Sequence, residues 1–306
     1  MKKTIFSLSM MFFSLMTWAQ PQGFGQSGSE PDWKDINYAG DEMEAHRLDI
    51  YLPKDGRDKH KVVVAIYGSA WFSNNMKSMA YMSIGKPLTE AGFAVVCINH
   101  RSSSDAKYPA QINDVKGALR FIRANADKYK LDTSFIGITG FSSGGHLSSM
   151  AGVTNGMKSH TIGEKTIEVE GNVGGNNKFS SNVDAVVDWF GPIDMTRMNN
   201  CETVKDANSP EAALIGGNPA DNMDMTQLSS PYFYVSKSTV PFVVIHGDAD
   251  NVVPYCQSVY FSEELKKNGK LADFITVSGG QHGPVTFNND TFKKMVDFFK
   301  KEAKMK

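Results

Sequence analysis

Residues 135–150, FIGITGFSSGGHLSSM, limit the possible folds of this chain more than any other stretch. An apolar run leads into Gly140-Phe141-Ser142-Ser143-Gly144, and a helix-like run beginning His146-Leu147 follows. Gly-x-Ser-x-Gly between a strand and a helix describes a nucleophile elbow, a tight turn that lifts a serine hydroxyl above the edge of a sheet. Such a turn is strained and crowded by neighbouring backbone, which is why glycine flanks the serine. The five-residue pattern is weak by itself, and an ordinary glycine-rich loop competes with it. The flanking strand and helix signals supply the context that the motif requires.

The rest of the chain supports a sheet built around that turn. Residues 62–67 and 93–98 are continuous apolar runs, as expected of strands covered on both faces. Residues 183–189, 242–245 and 274–277 supply further strands, and residues 47–52 alternate as an edge or antiparallel strand would. Residues 111–129 carry Ile112, Val115, Leu119 and Ile122 at helical spacing with lysines and arginines between, and residues 257–267 and 291–301 read as amphipathic helices. Repeated strand–helix alternation predicts an α/β fold with a doubly wound, mostly parallel sheet and helices on both faces. Residues 154–181 are polar and rich in Gly and Asn, and read as a long surface loop on the elbow side.

Lys2-Lys3, a short apolar run and Thr17-Trp18-Ala19 have the form of a signal peptide covering residues 1–19. Residues 20–32 read as a flexible leader, and residues 33–306 as one catalytic domain. The expected mature protein is secreted or periplasmic, with no stable membrane insertion after cleavage. The chain has 32 basic and 33 acidic residues, scattered rather than clustered, which speaks against nucleic acid as a partner. Of three cysteines, Cys97 lies in an apolar strand, whereas Cys201 and Cys256 can pair if geometry allows. No Cys or His spacing suggests a zinc site.

A serine nucleophile needs a base, an acid to orient the base, and donors for the oxyanion. On a strand–elbow–helix scaffold they follow in the order Ser, Asp or Glu, His. That order removes His46, His60 and His100. His146 lies on the elbow helix and His160 in a polar loop without an acid, while His246 ends a buried strand, where it is expected to bond backbone. His282, in Gly279-Gly280-Gln281-His282-Gly283 after the last strand, is the expected base. Asp248 and Asp250 both follow the preceding strand; Asp250 is preferred as the acid, and Asp248 as a turn residue bonding backbone N–H groups. The backbone N–H of Ser143 supplies one oxyanion donor, and that of Ser69 or Ala70, in the loop after residues 62–67, the second. Trp71 and Tyr67 are the candidate substrate-facing side chains. The base must be neutral to act, so kcat/KM should fall on acidification through about pH 6–7.

With these stretches identified, the chain resembles the acetyl esterase/lipase branch of the α/β-hydrolases, and within it the exported bacterial bifunctional feruloyl and acetyl xylan esterases. The likeness runs from about Trp33 to Phe299. It includes Gly140 through Leu147, Arg101 with Tyr108-Pro109-Ala110-Gln111 and Asp114-Val115-Lys116, residues 186–194, Ser209-Pro210-Glu211, Gly216-Gly217, Ser230-Pro231, residues 246–254 and Gln281-His282-Gly283. The resemblance implies a Ser142–Asp250–His282 triad, no metal and no cofactor. It also implies a serine carboxylesterase acting on acetyl or feruloyl esters, on a small molecule or a polysaccharide such as xylan. One departure stands out: where the family has His-Gly-Gly-Gly/Ala-Trp, this chain has Tyr67-Gly68-Ser69-Ala70-Trp71, and the Tyr67 phenol is a candidate to brace that loop in place of the histidine. Two other readings share the motifs: a prolyl-oligopeptidase-like peptidase, and a catalytically silent carbohydrate-binding or interaction protein. Oligomeric state is not legible.

Overall fold

The structure, a computed structural model, describes residues 30–305. The expected signal peptide and residues 20–29 of the leader lie outside the described residues. In chain order the elements are β1 (Trp33–Asn37), β2 (Arg47–Tyr51), β3 (His60–Ile66), α1 (Lys77–Ala80), a π-helical turn (Tyr81–Gly85), α2 (Lys86–Glu90), β4 (Ala94–Ile98), α3 (Ala110–Ala124) and β5 (Leu131–Phe141). They continue with α4 (Ser143–Val153), β6 (Ser159–Ile162), β7 (Lys165–Glu168), β8 (Ala185–Trp189), α5 (Pro210–Ile215), α6 (Met223–Leu228), β9 (Phe242–Gly247), α7 (Cys256–Lys267), β10 (Leu271–Val277) and α8 (Asn289–Glu302).

Eight strands form one sheet in the order β1-β2-β4-β3-β5-β8-β9-β10. β2 is antiparallel to β1 and β4, and every pair from β4 to β10 is parallel. The reason is visible in β3. Val62, Val64 and Ile66 point into one core with α3, α4 and α7, while Val63 and Ala65 point into the other with α2 and α8. Burying such a side chain stabilises by about 1.5–3 kcal/mol, so a strand that is apolar on both faces is stable only with helices on both sides. The expected doubly wound sheet is therefore present. Its parallel strands put the carboxyl ends of β3, β5, β9 and β10 at one edge, where sites in open α/β sheets form.

Three segments depart from the sequence reading. The first is β1, which was not anticipated: WKDIN has no clean alternation, because this edge strand buries little of either face. The second is residues 154–181, which are not simply a surface loop. They contain the β6–β7 hairpin, and Ile167 and Val169 are buried. The lysines and arginines of α3 explain how the segment is held. Lys116 and Arg120 are buried, Lys116 donates to Thr154 O at 3.0 Å, and both pair with Glu170. Arg120 also donates to Val173 O at 2.9 Å, and Asn113 to Val169 O at 2.9 Å. The segment is thus a cover over α3, and among the described residues none of its hydrogen bonds reaches the elbow. α3 ends at Ala124, sooner than expected, and the chain turns through Asn125–Lys130 before β5.

Cys201 and Cys256 are disulfide-bonded, joining the segment after β8 to the first turn of α7, while Cys97 is a buried free thiol. Among the described residues no helix is long and apolar enough to cross a membrane.

Candidate active site

Ser142 sits between β5 and α4 with φ 56° and ψ −126°, a left-handed conformation costing on the order of 1–3 kcal/mol for a non-glycine residue. The surroundings hold it there: Ser142 N–H donates to Trp189 O at 2.9 Å, and Ser142 O accepts from His146 N–H at 3.0 Å. The flanking glycines are required by contact. A Cβ on Gly140 would strike the Gly144 carbonyl, and one on Gly144 would strike the carbonyls of Ile66 and Tyr67. Since α4 starts at Ser143, its first N–H groups lack intrahelical acceptors and face the elbow at the positive end of the helix dipole.

The structure brings Ser142, His282 and Asp250 together. His282 Nε2 lies 3.0 Å from Ser142 Oγ, and His282 Nδ1 lies 2.7 Å from Asp250 Oδ2. Asp250 Oδ1 accepts from the N–H groups of Val252 at 2.8 Å and Val253 at 3.0 Å. Burial alone would raise the Asp250 pKa. The bonds from His246 and His282, the His282 charge and the Val252 N–H outweigh it, and the carboxyl is held well below the usual carboxylate range. Asp248 is exposed and accepts from Gly279 N–H at 2.6 Å, so it bonds backbone as expected but across to the loop after β10 rather than within its own turn.

In the loop after β3, Ser69 N–H donates to Ser143 Oγ at 2.8 Å. That bond removes Ser69 from the pair of possible oxyanion donors and leaves the Ala70 N–H as the candidate second donor. Ala70 and Trp71 have φ of 50° and 60°, which turn the chain sharply at this point. The bond also ties the loop directly to the elbow through the Ser143 hydroxyl.

Trp71 and Tyr67 do not offer substrate-facing rings, contrary to the expectation from sequence. Trp71 is 2% exposed and Tyr67 is 0% exposed. Trp71 Nε1–H donates to His146 Nδ1 at 3.2 Å, and His146 Nε2–H donates to Ser229 O at 2.7 Å. Burial lowers the His146 pKa to about 4, which keeps it neutral as this pattern needs. The Tyr67 ring stacks on His100 with centroids 5.1 Å apart, and its hydroxyl donates to Ser73 O at 3.0 Å. Both aromatics brace the loop because histidines from distant parts of the chain cover them.

Several contributors were invisible in the sequence. His246 bonds not only backbone but also Asp250, and Ser258 on α7 bonds His246. Asp188, at the end of β8 beneath the elbow, is fully buried; its Oδ1 accepts from Gly191 N–H at 3.2 Å and its Oδ2 has no partner among the described residues. Burial raises its pKa to about 7, against the smaller lowering effect of the Gly191 N–H. A raised carboxyl contributes stability that is full below its unfolded value of 3.8 and is lost as pH rises through about 7. Asp188→Asn cannot ionise, so the variant's Tm minus that of the parent should grow between those limits and level off above them. Thermal melts of both proteins across this range check the sign; a difference independent of pH would show that Asp188 does not titrate in the fold.

No cluster of three or more His, Cys, Asp or Glu residues that could hold a metal occurs among the described residues. What the arrangement can do chemically is deprotonate a hydroxyl and hold an anion next to it.

The sequence matches the BD-FAE family over residues 48–265. A bifunctional GH43-CE protein from Bacteroides eggerthii is 68% identical with a TM-score of 0.88, over 89% of this chain and 35% of that one. A truncated form of a carbohydrate esterase from gut microbiota is 53% identical with a TM-score of 0.89, over 92% of this chain and 99% of that one. The "Probable carboxylic ester hydrolase LipM" of Mycobacterium tuberculosis is 31% identical over 77% of this chain and 52% of its own length. The chain spans about half the length of the curated relatives it matches.

Proposed function

The chain belongs to the BD-FAE family and has the α/β-hydrolase fold, and from that premise we propose that it is a serine carboxylesterase releasing acetyl or feruloyl groups from plant polysaccharide such as xylan. The observation that carries the reading is the unbroken chain from Ser142 Oγ through His282 to Asp250, at 3.0 and 2.7 Å. The relatives named carboxylic ester hydrolase and carbohydrate esterase support the ester class, and the GH43-CE relative supports a carbohydrate setting.

In this mechanism His282 Nε2 takes the Ser142 proton as Oγ attacks the ester carbonyl. Asp250 keeps the Nδ1–H tautomer and stabilises the imidazolium. The N–H groups of Ser143 and Ala70 receive the oxyanion. His282 then returns the proton to the departing sugar alkoxide, and a water activated by the same imidazole releases the acid and restores Ser142. The proposal includes export through a cleaved signal peptide at residues 1–19. The Cys201–Cys256 disulfide supports it, since such bonds persist in oxidising compartments.

The test is acid release from acetylated xylan, methyl ferulate and a Gly-Pro anilide by the purified protein. Release of acetate or ferulate establishes the ester class and identifies the acyl group. Cleavage of the anilide alone would make the protein a peptidase. Inertness toward all three would favour a binding protein.

A further inference from the structure

Asp250 is approached by two imidazoles. Its Oδ2 lies 2.7 Å from His282 Nδ1 and 3.2 Å from His246 Nε2. His246 is fully buried at the end of β9, and its Nε2 also lies 3.1 Å from Val253 O. A carbonyl and a carboxylate can only accept, so the proton of His246 resides on Nε2. Its Nδ1 is then an acceptor, and Ser258 Oγ, 2.7 Å away on α7, donates to it. Around one carboxylate the chain therefore places two serine–histidine pairs, Ser142–His282 on the open side and Ser258–His246 on the buried side.

We propose that His246, with Ser258 behind it, is a positioning residue for the reaction: it fixes the Asp250 carboxylate and shares its Oδ2, which limits how strongly that oxygen holds the His282 imidazolium. The inference rests on the esterase reading of Ser142. A carboxylate that gives one oxygen wholly to a histidine stabilises the charged imidazole more than one that divides it between two donors. Removing the His246 donor should therefore make His282 harder to deprotonate and leave the carboxylate held by His282 and the Val252 and Val253 N–H groups alone.

The groups facing this network are few. From the loop after β9, Asp250 receives the Val252 and Val253 N–H groups. From the loop after β8, the Phe190 ring lies 4.7 Å from the His282 ring and 6.1 Å from that of His246. From the start of α7, the Tyr255 ring lies 5.6 Å from that of His246, with its hydroxyl on Thr276. Asp248 is turned to Gly279. Among the described residues Asp250 is thus the carboxylate bonded to both imidazoles.

The experiment measures kcat and KM for p-nitrophenyl acetate from pH 5 to pH 9, assay limits set around the ordinary histidine range. The proteins compared are the parent, Ser142→Ala, His246→Leu, His246→Gln and Ser258→Ala, each checked for folding by circular dichroism. In His246→Leu the acid limb of kcat/KM should move up by about 0.5–1 pH unit and kcat should fall about tenfold, with KM little changed. Ser258→Ala should shift the limb in the same direction by less, because it weakens the His246 donor without removing it. His246→Gln, which keeps an N–H in reach of Asp250, should recover much of the loss. Folded His246→Leu with the parental pH profile, or with a limb moved down, overturns the inference. Should His246→Leu fail to fold, the Ser258→Ala profile decides in the same way. Hydrolysis that survives in Ser142→Ala would instead overturn the esterase reading beneath it, so the two failures are distinguishable.

Discussion

Ser142→Ala should abolish ester hydrolysis, with kcat falling by about a million-fold, as when the nucleophile of other serine hydrolases is removed. The fold should survive. The Ser142 side-chain hydrogen bond runs to His282, while the strained backbone is held by bonds from Ser142 N–H and to Ser142 O that alanine retains. Alanine is no worse than serine at φ 56°, so Tm should move little. Initial rates at high enzyme concentration, with melts on the same samples, make the comparison. Activity within tenfold of the parent would mean that another residue attacks the ester.

Asp250→Asn should cost about four orders of magnitude in kcat, by the tautomer argument for serine triads. The local contacts give the reason. Asp250 takes two backbone N–H groups on Oδ1 and two imidazoles on Oδ2. An asparagine has one oxygen for these four donors. If that oxygen stays with Val252 and Val253, its NH2 faces the N–H of His282 and of His246, and His282 must switch tautomer, leaving Nε2 unable to accept from Ser142. Asp248→Asn keeps an oxygen for Gly279 N–H and should lose less than tenfold. Steady-state kinetics on the two variants test the ranking, and the reverse order would assign the acid to Asp248.

The parts of the site that lie next to a strand end were readable, because one chemical need picks one residue type at one place in the chain order. Ser142 follows from the glycines around it, His282 from its place after the last strand, and Asp250 from its place after the preceding one. The Tyr67 brace was also foreseeable, since a loop missing its usual histidine needs some other tether. Side chains whose state depends on a distant partner were not readable. Trp71 looks like a surface aromatic until His146, 75 positions away, covers it. Ser69 and Ala70 were equivalent donors until the Ser143 hydroxyl took one N–H group. Lys116 and Arg120 look like the solvent face of α3, and they become interior only because residues 154–181 fold back with Glu170. His246 shares Asp250 with His282 only because loops 32 positions apart meet.

The Cys201–Cys256 disulfide has a further consequence, for survival of the site after proteolytic attack. The bond closes a ring of sequence that includes β9, His246 and Asp250, and residues 202–207 inside that ring contain exposed positions such as Glu202 and Asp206. A protease that nicks the chain there does not release two fragments: the part carrying Ser142 stays covalently attached to the part carrying Asp250 and His282. Their effective concentration remains that of an intramolecular pair. A single cut within residues 202–207 therefore leaves serine, acid and base on one molecule.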